Sequence, residues 1–286
     1  MKIKLVCQGI KGSYSYQTAN IFKRELEKLN LEVKEIISVK NFDELFNFVK
    51  KGYFGVIPIE NSLIGTIFEN YKKIINNNFK ITFDYYLKIE HCLLAKKKID
   101  LKEIKKVISH PAALKQCLNF LKENNLDFEN FEDTASAAKF VSETNEEIAA
   151  IASKEAAEVY NLKIIKENVQ DFNFNFTRFF LISKDFDYLN LVKNNEKKDI
   201  ITTLTFELKD TPASLFKALM PFAVRFINLK KIDSFFIPEK PFHYKFLVEA
   251  EISRKEKLFS DLIDELNCFI ENLKIISSFK SLNKPL

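Results

Sequence analysis

The chain is poor in glycine and cysteine, and it has no long apolar run. Each shortage narrows the reading. Its 286 residues hold five glycines (Gly9, Gly12, Gly52, Gly55, Gly65), all within the first 65 positions. Backbone that needs positive φ or a close approach is therefore expected there first. Four cysteines, Cys7, Cys92, Cys117 and Cys268, lie far apart without a CxxC pair. That spacing suggests neither a disulfide scaffold nor a zinc site and favours a reducing compartment. The opening "MKIKLVCQGIKG" has too short an apolar run for a secretory leader, and no stretch reaches membrane-spanning length. A soluble, cytoplasmic protein is expected.

Charge of one sign is also lacking. The 44 Lys and Arg are interleaved with 39 Asp and Glu, for a net +5. A nucleic-acid footprint would gather the basic residues in one stripe, so the pattern reads as a solvated surface. The length allows two domains, each with its own core.

The first part of the chain alternates strands with helices. "KIKLVCQ" reads as a buried strand, and "SYQTANIFKRELEKLN" as a helix with Ala19, Phe22, Leu26 and Leu29 on one stripe. The "GIKGSYS" between them is either an anion-holding turn or a plain connection, and its glycine spacing does not make the dinucleotide fingerprint. "NFDELFNFVKKG" is a helix capped by Asn41, and "YFGVIPI" a strand running into Glu60, Asn61 and Ser62. In open α/β sheets ligands sit beyond such strand ends. "IKKVISH" ends a strand at His110, and "PAALKQCLNFLKENN" is read as one helix opened by Pro111. "DTASAAKFVSETN" opens a helix with Thr134 and Ser136 at its mouth, and "EIAAIAS" is a short strand before "KEAAEVYNL". Helix mouths at Ser13, Asn61, His110, Thr134 and Ser153 are expected to converge on a small polyanion.

In "NFNFTRFFLIS" (173–183) strand alternation sends Phe174, Phe176, Arg178 and Phe180 to one face and Asn175, Thr177 and Phe179 to the other. After residue 184 the pattern changes to a polar stretch read as a linker. Then "DIITTLTFELK", "PASLFKALMPFAVRF", "NLKKIDSFFI", "HYKFLVEAEI", "KEKLFSDLIDELNCFIENL" and "KIISSFKS" give the order βαββαβ, the ferredoxin-like plan. No catalytic cluster marks this part, which favours a regulatory or dimerising role. His91 and His110 share no metal-ligand spacing and read as structural.

The blocks "GIKGSYSYQTA", "IPIENSLIGT", "ISHPAALKQC", "DTASAAKFV", "AAIASKEAAEVYNL" and "NFNFTRFFLIS" resemble, in order, those of prephenate dehydratase. "FELKDTPASLFKAL" with "FINLKKIDSFFIP" resembles the ACT regulatory domain usually joined to it. The resemblance implies a two-lobed, periplasmic-binding-protein-like α/β catalytic domain over 1–184, a linker over 185–199 and an ACT domain over 200–281. Lobe 1 would be about 1–76 plus 173–183 and lobe 2 about 80–165. With no room before residue 1 for a fused chorismate mutase, the monofunctional form is expected. The implied reaction takes water and carbon dioxide from prephenate to give phenylpyruvate, with no metal or redox cofactor. Arogenate dehydratase and a non-catalytic sensor are the alternatives.

In the family the threonine of the Thr-Arg-Phe motif is essential, which falls on Thr177. Glu60 is the nearest motif carboxyl and would serve as proton donor if burial raised its pKa. Ser13, Asn61, Ser62, Thr134, Ser136, Asn175, Arg178 and Phe179 would bind substrate, with Arg178 open to a second reading as a structural anchor. L-phenylalanine would be the effector, at Ala213, Ser214, Leu215, Asn228, Leu229 and Ser234, in a homodimer or homotetramer. The usual Asp-x-Pro-Gly-Ala-Leu reads "DTPASL" here, and Glu-Ser-Arg-Pro reads "DSFF". Pro212 is expected in the first helical turn, which makes Ala213 helical and its methyl a source of crowding. Such overpacking would weaken effector binding by about 1–3 kcal/mol, or roughly ten- to a hundredfold.

Overall fold

The structure, a computed structural model, describes residues 2–191, 199–237 and 240–285. The chain forms two compact units, the first comprising Met1–Ile67 and Tyr86–Phe179 and the second Phe68–Tyr85 and Phe180–Lys284.

The first unit begins with β1 (Lys2–Gln8), α1 (Tyr14–Lys28), β2 (Glu32–Val39), α2 (Phe42–Lys50), β3 (Phe54–Asn61) and the short β4 (Gly65–Thr66). Side chains set these boundaries. Ser13 Oγ accepts from the Tyr16 N–H, and Asn41 Oδ1 from the Glu44 N–H at 2.9 Å, while the Glu44 carboxylate accepts from the Lys40 N–H. The first two bonds satisfy donors the first helical turn leaves open, and the third ties the residue before the N-cap back to that turn. β2, which the sequence reading omitted, pairs parallel with β1, and β1 pairs parallel with β3. Only Val33 and Val39 of β2 are buried, as an edge strand allows.

After α3 (Phe68–Asn76), in the second unit, come β5 (Lys80–Lys88), β6 (Cys92–Ala95), β7 (Lys106–Ser109), α4 (Pro111–Lys115), α5 (Leu118–Glu123), β8 (Phe128–Asn130), α6 (Thr134–Glu143), β9 (Ile148–Ala152), α7 (Lys154–Val159) and β10 (Lys163–Lys166). A second sheet of the first unit has the order β10-β6-β9-β7-β8. One of its faces buries Leu94, Ile108 and Ala150 under α6 and α7, and the other buries Leu93, Val107 and Ile151 against α4 and α5. The helix expected from Pro111 onward is two. Gln116 O accepts from the Asp171 N–H at 2.7 Å and the Asp171 carboxylate accepts from the Asn119 N–H, so a distant segment takes the groups a continuous helix would have used.

β11 (Phe176–Ser183) returns as a neighbour of β3, and its part up to Phe179 completes the first unit's first sheet, ordered β2-β1-β3-β11. The two sheets make two α/β lobes. They meet closely at Gly12, whose φ is +87° and where a Cβ would lie 3.0 Å from Ala156 Cα of α7. Ser153 Oγ donates to Gly12 O at 2.8 Å and Tyr160 Oη to Lys11 O at 2.7 Å. The glycine turn after β1 is thus a docking point for α7.

The second unit contains β12 (Ile200–Leu208), α8 (Ser214–Ala223), β13 (Leu229–Phe236), β14 (Tyr244–Ala250), α9 (Lys257–Leu266) and β15 (Ile270–Ser281). Their sheet, β13-β14-β12-β15 extended by β5, is the ferredoxin-like order. Leu204, Phe206, Phe222, Phe259, Leu262 and Leu266 form its core. The last helix stops at Leu266, earlier than its apolar periodicity suggests, and Ile270 already belongs to β15. Of the expected linker, residues 192–198 lie outside the described residues. Just before them Tyr188 and Leu189 are buried, and Asp187 pairs with Arg254.

Ala213 is not helical as expected: it is the N-cap of α8 in the left-handed region, at φ 61° and ψ 22°. Pro212 therefore precedes the helix instead of opening it. The conformation costs an L-residue roughly 1–2 kcal/mol that glycine avoids, offset by the roughly 0.4–1 kcal/mol of unfolded-state entropy that glycine adds. Ala213→Gly is expected to stabilise the full chain by about 0.5–1 kcal/mol in urea denaturation. Destabilisation would contradict the left-handed geometry.

Candidate active site

Between the two lobes of the first unit lies a cavity of about 240 Å³. It is small beside the usual ligand site of about 300–1,000 Å³. Ile64, Ile67, Ile89 and Phe179 supply apolar wall, and Tyr14, Asn61, His91, Gln116, Thr134 and Thr177 supply polar atoms. His110 and Asn175 complete the polar lining, and among the described residues no lysine, arginine, aspartate or glutamate takes part. Tyr14 and Thr134 are the first residues of α1 and α6, so the cavity meets the positive ends of two helix dipoles.

Strand alternation places Asn175, Thr177 and Phe179 in the cavity wall. Asn61, the last residue of β3, comes alongside and makes an Asx turn instead of opening the helix expected there. Its Oδ1 accepts from the N–H groups of Leu63 at 3.0 Å and Ile64 at 3.2 Å. Backbone N–H groups can only donate, so the carboxamide orientation is fixed. Asn61 Nδ2 must then donate, to Asn175 Oδ1 at 2.8 Å, Thr177 Oγ1 at 3.0 Å and, more weakly, Phe176 O at 3.2 Å. The direction propagates. Asn175 Nδ2 donates to Gln116 Oε1 at 3.0 Å, and Gln116 Oε1 also faces His91 Nε2 at 3.0 Å, which must therefore carry hydrogen. Because Thr177 Oγ1 accepts from Asn61, its own proton is left to donate to a ligand.

Arg178 points the other way. It is 2% exposed, lies over the Tyr86 ring at 5.1 Å and approaches the Glu60 carboxylate at 4.0 Å. Neither Arg178 nor Glu60 is in the cavity wall. Ser62 ties the segments together, its Oγ donating to Phe174 O and accepting from the Phe176 N–H. Ser13 and Ser153 serve as helix caps, while Asp133, not Thr134, caps α6 by accepting from the Ser136 N–H. Ser136 and Asp133 line a separate cavity with Gln8, Gly9 and Lys40. His110 caps α4, its Nδ1 accepting from the Ala112 N–H.

Tyr14 and Gln116 are site residues that no sequence motif singles out, and His91, expected to be structural, lines the cavity with them. Gln116 carried a signal, since it stands among Ala113, Leu114, Cys117 and Leu121 on a stripe that is otherwise apolar and buried. The four cysteines are all free, Cys268 alone being exposed. Among the described residues no helix is long and apolar enough to cross a membrane.

A family model described as prephenate dehydratase matches residues 5–187. The chain is 33% identical to arogenate dehydratase/prephenate dehydratase 2 of Arabidopsis thaliana, covering 97% of this chain and 73% of that protein. It is 38% identical to a prephenate dehydratase of Methanocaldococcus jannaschii, covering 87% and 88%. Among solved structures, a prephenate dehydratase from Arthrobacter aurescens in complex with L-Phe superposes with a TM-score of 0.78 at 22% identity, covering 97% of this chain and 90% of that one.

The burial of Arg178 beside Glu60 gives a direct expectation. Arg178→Met should destabilise the protein by about 2–3 kcal/mol, below the 3–5 of fully buried pairs because Glu60 is partly hydrated. Urea denaturation measures the loss. A variant of unchanged stability with a raised KM would place the guanidinium on the ligand instead.

Proposed function

The chain belongs to the prephenate dehydratase family, and we propose that the cavity beside Thr177 removes water and carbon dioxide from prephenate to leave phenylpyruvate. This is a carbon–oxygen lyase reaction of phenylalanine biosynthesis. The observation that carries the assignment is the enforced donor state of the Thr177 hydroxyl. In the reaction the C4–O bond breaks, the ring carboxylate leaves as carbon dioxide, and its bonding electrons complete the aromatic ring. The departing oxygen needs a proton or a strong hydrogen bond within about 2.6–3.2 Å. Threonine is too weak an acid to give up its proton, so Thr177 stabilises the departing hydroxide by hydrogen bonding while water delivers the proton. The helix ends at Tyr14 and Thr134 and the Gln116 NH₂ group hold the carboxylates. Asn61 and Asn175 orient the donors, and Arg178 and Glu60 brace the strand behind them.

Prephenate is favoured over arogenate by the cavity itself. Arogenate carries an ammonium, and among the described residues no carboxylate lines the wall to pair with it. Residues 1–184 form the catalytic domain in this reading and 200–281 an ACT regulatory domain. L-phenylalanine is its effector, at Ala213–Leu215, Asn228, Leu229 and Ser234, in a homodimer or homotetramer. The left-handed turn at Ala213 keeps a backbone path suited to glycine, so only the added methyl acts on the effector. Four free cysteines suit a reducing cytoplasm.

Purified protein given prephenate and arogenate in parallel tests the assignment, with phenylpyruvate followed in alkali. Prephenate turnover at higher kcat/KM is expected, and no turnover of either substrate would refute it. Thr177→Ala should lower kcat by about 10²–10³-fold, the usual effect of losing one transition-state donor, with the melting temperature kept. Thr177→Ser should recover part of the loss. An Ala variant with near-normal kcat would remove Thr177 from the mechanism.

A further inference from the structure

His91 is 2% exposed, yet it lines the substrate cavity. Its ring lies between two polar partners, Gln116 Oε1 at 3.0 Å from Nε2 and Tyr14 Oη at 3.0 Å from Nδ1. Tyr14 Oη is also 2.7 Å from the carbonyl oxygen of Glu90, which can only accept. Counting hydrogens decides what the ring can be. The tautomer with hydrogen on Nδ1 alone would set a bare Nε2 against Gln116 Oε1. Gln116 cannot turn its amide to relieve this, because Asn175 Nδ2 already donates to that oxygen and Asn175 is held by Asn61. The neutral ring therefore carries its hydrogen on Nε2. That leaves one phenolic proton for two acceptors, His91 Nδ1 and Glu90 O. A second ring proton removes the conflict: Nδ1–H donates to Tyr14 Oη, Tyr14 Oη–H to Glu90 O, and Nε2–H to Gln116 Oε1. The imidazolium satisfies every link, and the neutral ring does not.

Burial opposes the charge and lowers the His91 pKa, while the Gln116 hydrogen bond raises it. The titratable groups near this pair are Tyr14, Cys92, Cys117 and Glu90. Burial holds the Tyr14 phenol and both thiols above their usual range, so they stay neutral. Glu90 pairs with Lys88 at the surface. His110, also in the cavity wall, turns its Nδ1 to the Ala112 N–H. Gln170 touches only the His91 backbone. Among the described residues no carboxylate contacts the His91 ring to keep it protonated, but a bound dicarboxylate would.

We infer that His91 is the cationic element of the substrate cavity, taking one proton from solvent onto Nδ1 when the dicarboxylate substrate binds. The inference rests on the prephenate reading of the site. Because proton uptake accompanies binding, kcat/KM must fall as pH rises through the free-enzyme His91 pKa, approaching tenfold per pH unit, while kcat stays flat over the same range. His91→Gln keeps a donor near the Nε2 position but cannot be charged. Its kcat/KM should be low and independent of pH between about pH 5 and 8, the span in which histidine titrates. Tyr14→Phe removes the acceptor of the second proton and should move the fall in kcat/KM to lower pH. That variant keeps the inference testable if His91→Gln does not fold. A flat wild-type kcat/KM profile, or a fall unchanged in both variants, overturns the inference. Failure of the wild type to turn over prephenate at any pH overturns the functional reading on which it rests.

Discussion

The carboxamide of Asn61 sets the direction of the hydrogen bonds that run through Thr177, Asn175, Gln116 and His91 in the cavity wall. Two backbone N–H groups, of Leu63 and Ile64, claim its oxygen, so its nitrogen has no choice but to donate. A buried hydrogen bond adds only about 1 kcal/mol net, whereas a buried polar atom left unpaired costs about 1–3 kcal/mol. Reversing one member would leave several such atoms facing like partners, so the chain through Asn175, Gln116 and His91 holds one polarity. Thr177 receives from this arrangement instead of giving to it, and that is what makes its hydroxyl available to substrate.

The fold contributes by separating chemistry from bracing along a single strand. Successive side chains of β11 face opposite sides, so Thr177 meets the cavity while Arg178, one position on, lies buried beside Tyr86 and Glu60. The cavity needs both lobes, because Asn61 and Thr177 come from the first sheet's elements and His91 and Gln116 from the second's. The glycine turn at Gly12 brings α7 within van der Waals contact and gives that pairing of lobes a fixed point. With no lysine, arginine, aspartate or glutamate in the wall among the described residues, helix ends and amide dipoles act beside His91 on an anion there, and these reorganise little when charge moves.

Much of this was legible in the sequence where a local cause acts. The alternation of "NFNFTRFFLIS", the Asn41 and Ser153 caps and the βαββαβ order follow from period and capping chemistry, and the structure shows each. What was not legible depends on distant partners or on unmarked backbone. Edge strand β2 buries too few residues to show a period. The break at Gln116 comes from Asp171, more than fifty residues away in the chain, and it is that break which frees Gln116 for the cavity. The Asx turn at Asn61 resembles a helix start, because asparagine favours both. Ala213 carries no sign of its left-handed conformation, since alanine rarely adopts it.

The direction of one hydrogen is the claim on which the account turns, and neutron diffraction from hydrogen-exchanged crystals observes it directly. The account predicts deuterium on Asn61 Nδ2 along the lines to Asn175 Oδ1 and Thr177 Oγ1, with the Thr177 hydroxyl deuterium turned into the cavity. A Thr177 deuterium lying between its oxygen and Asn61 would contradict it.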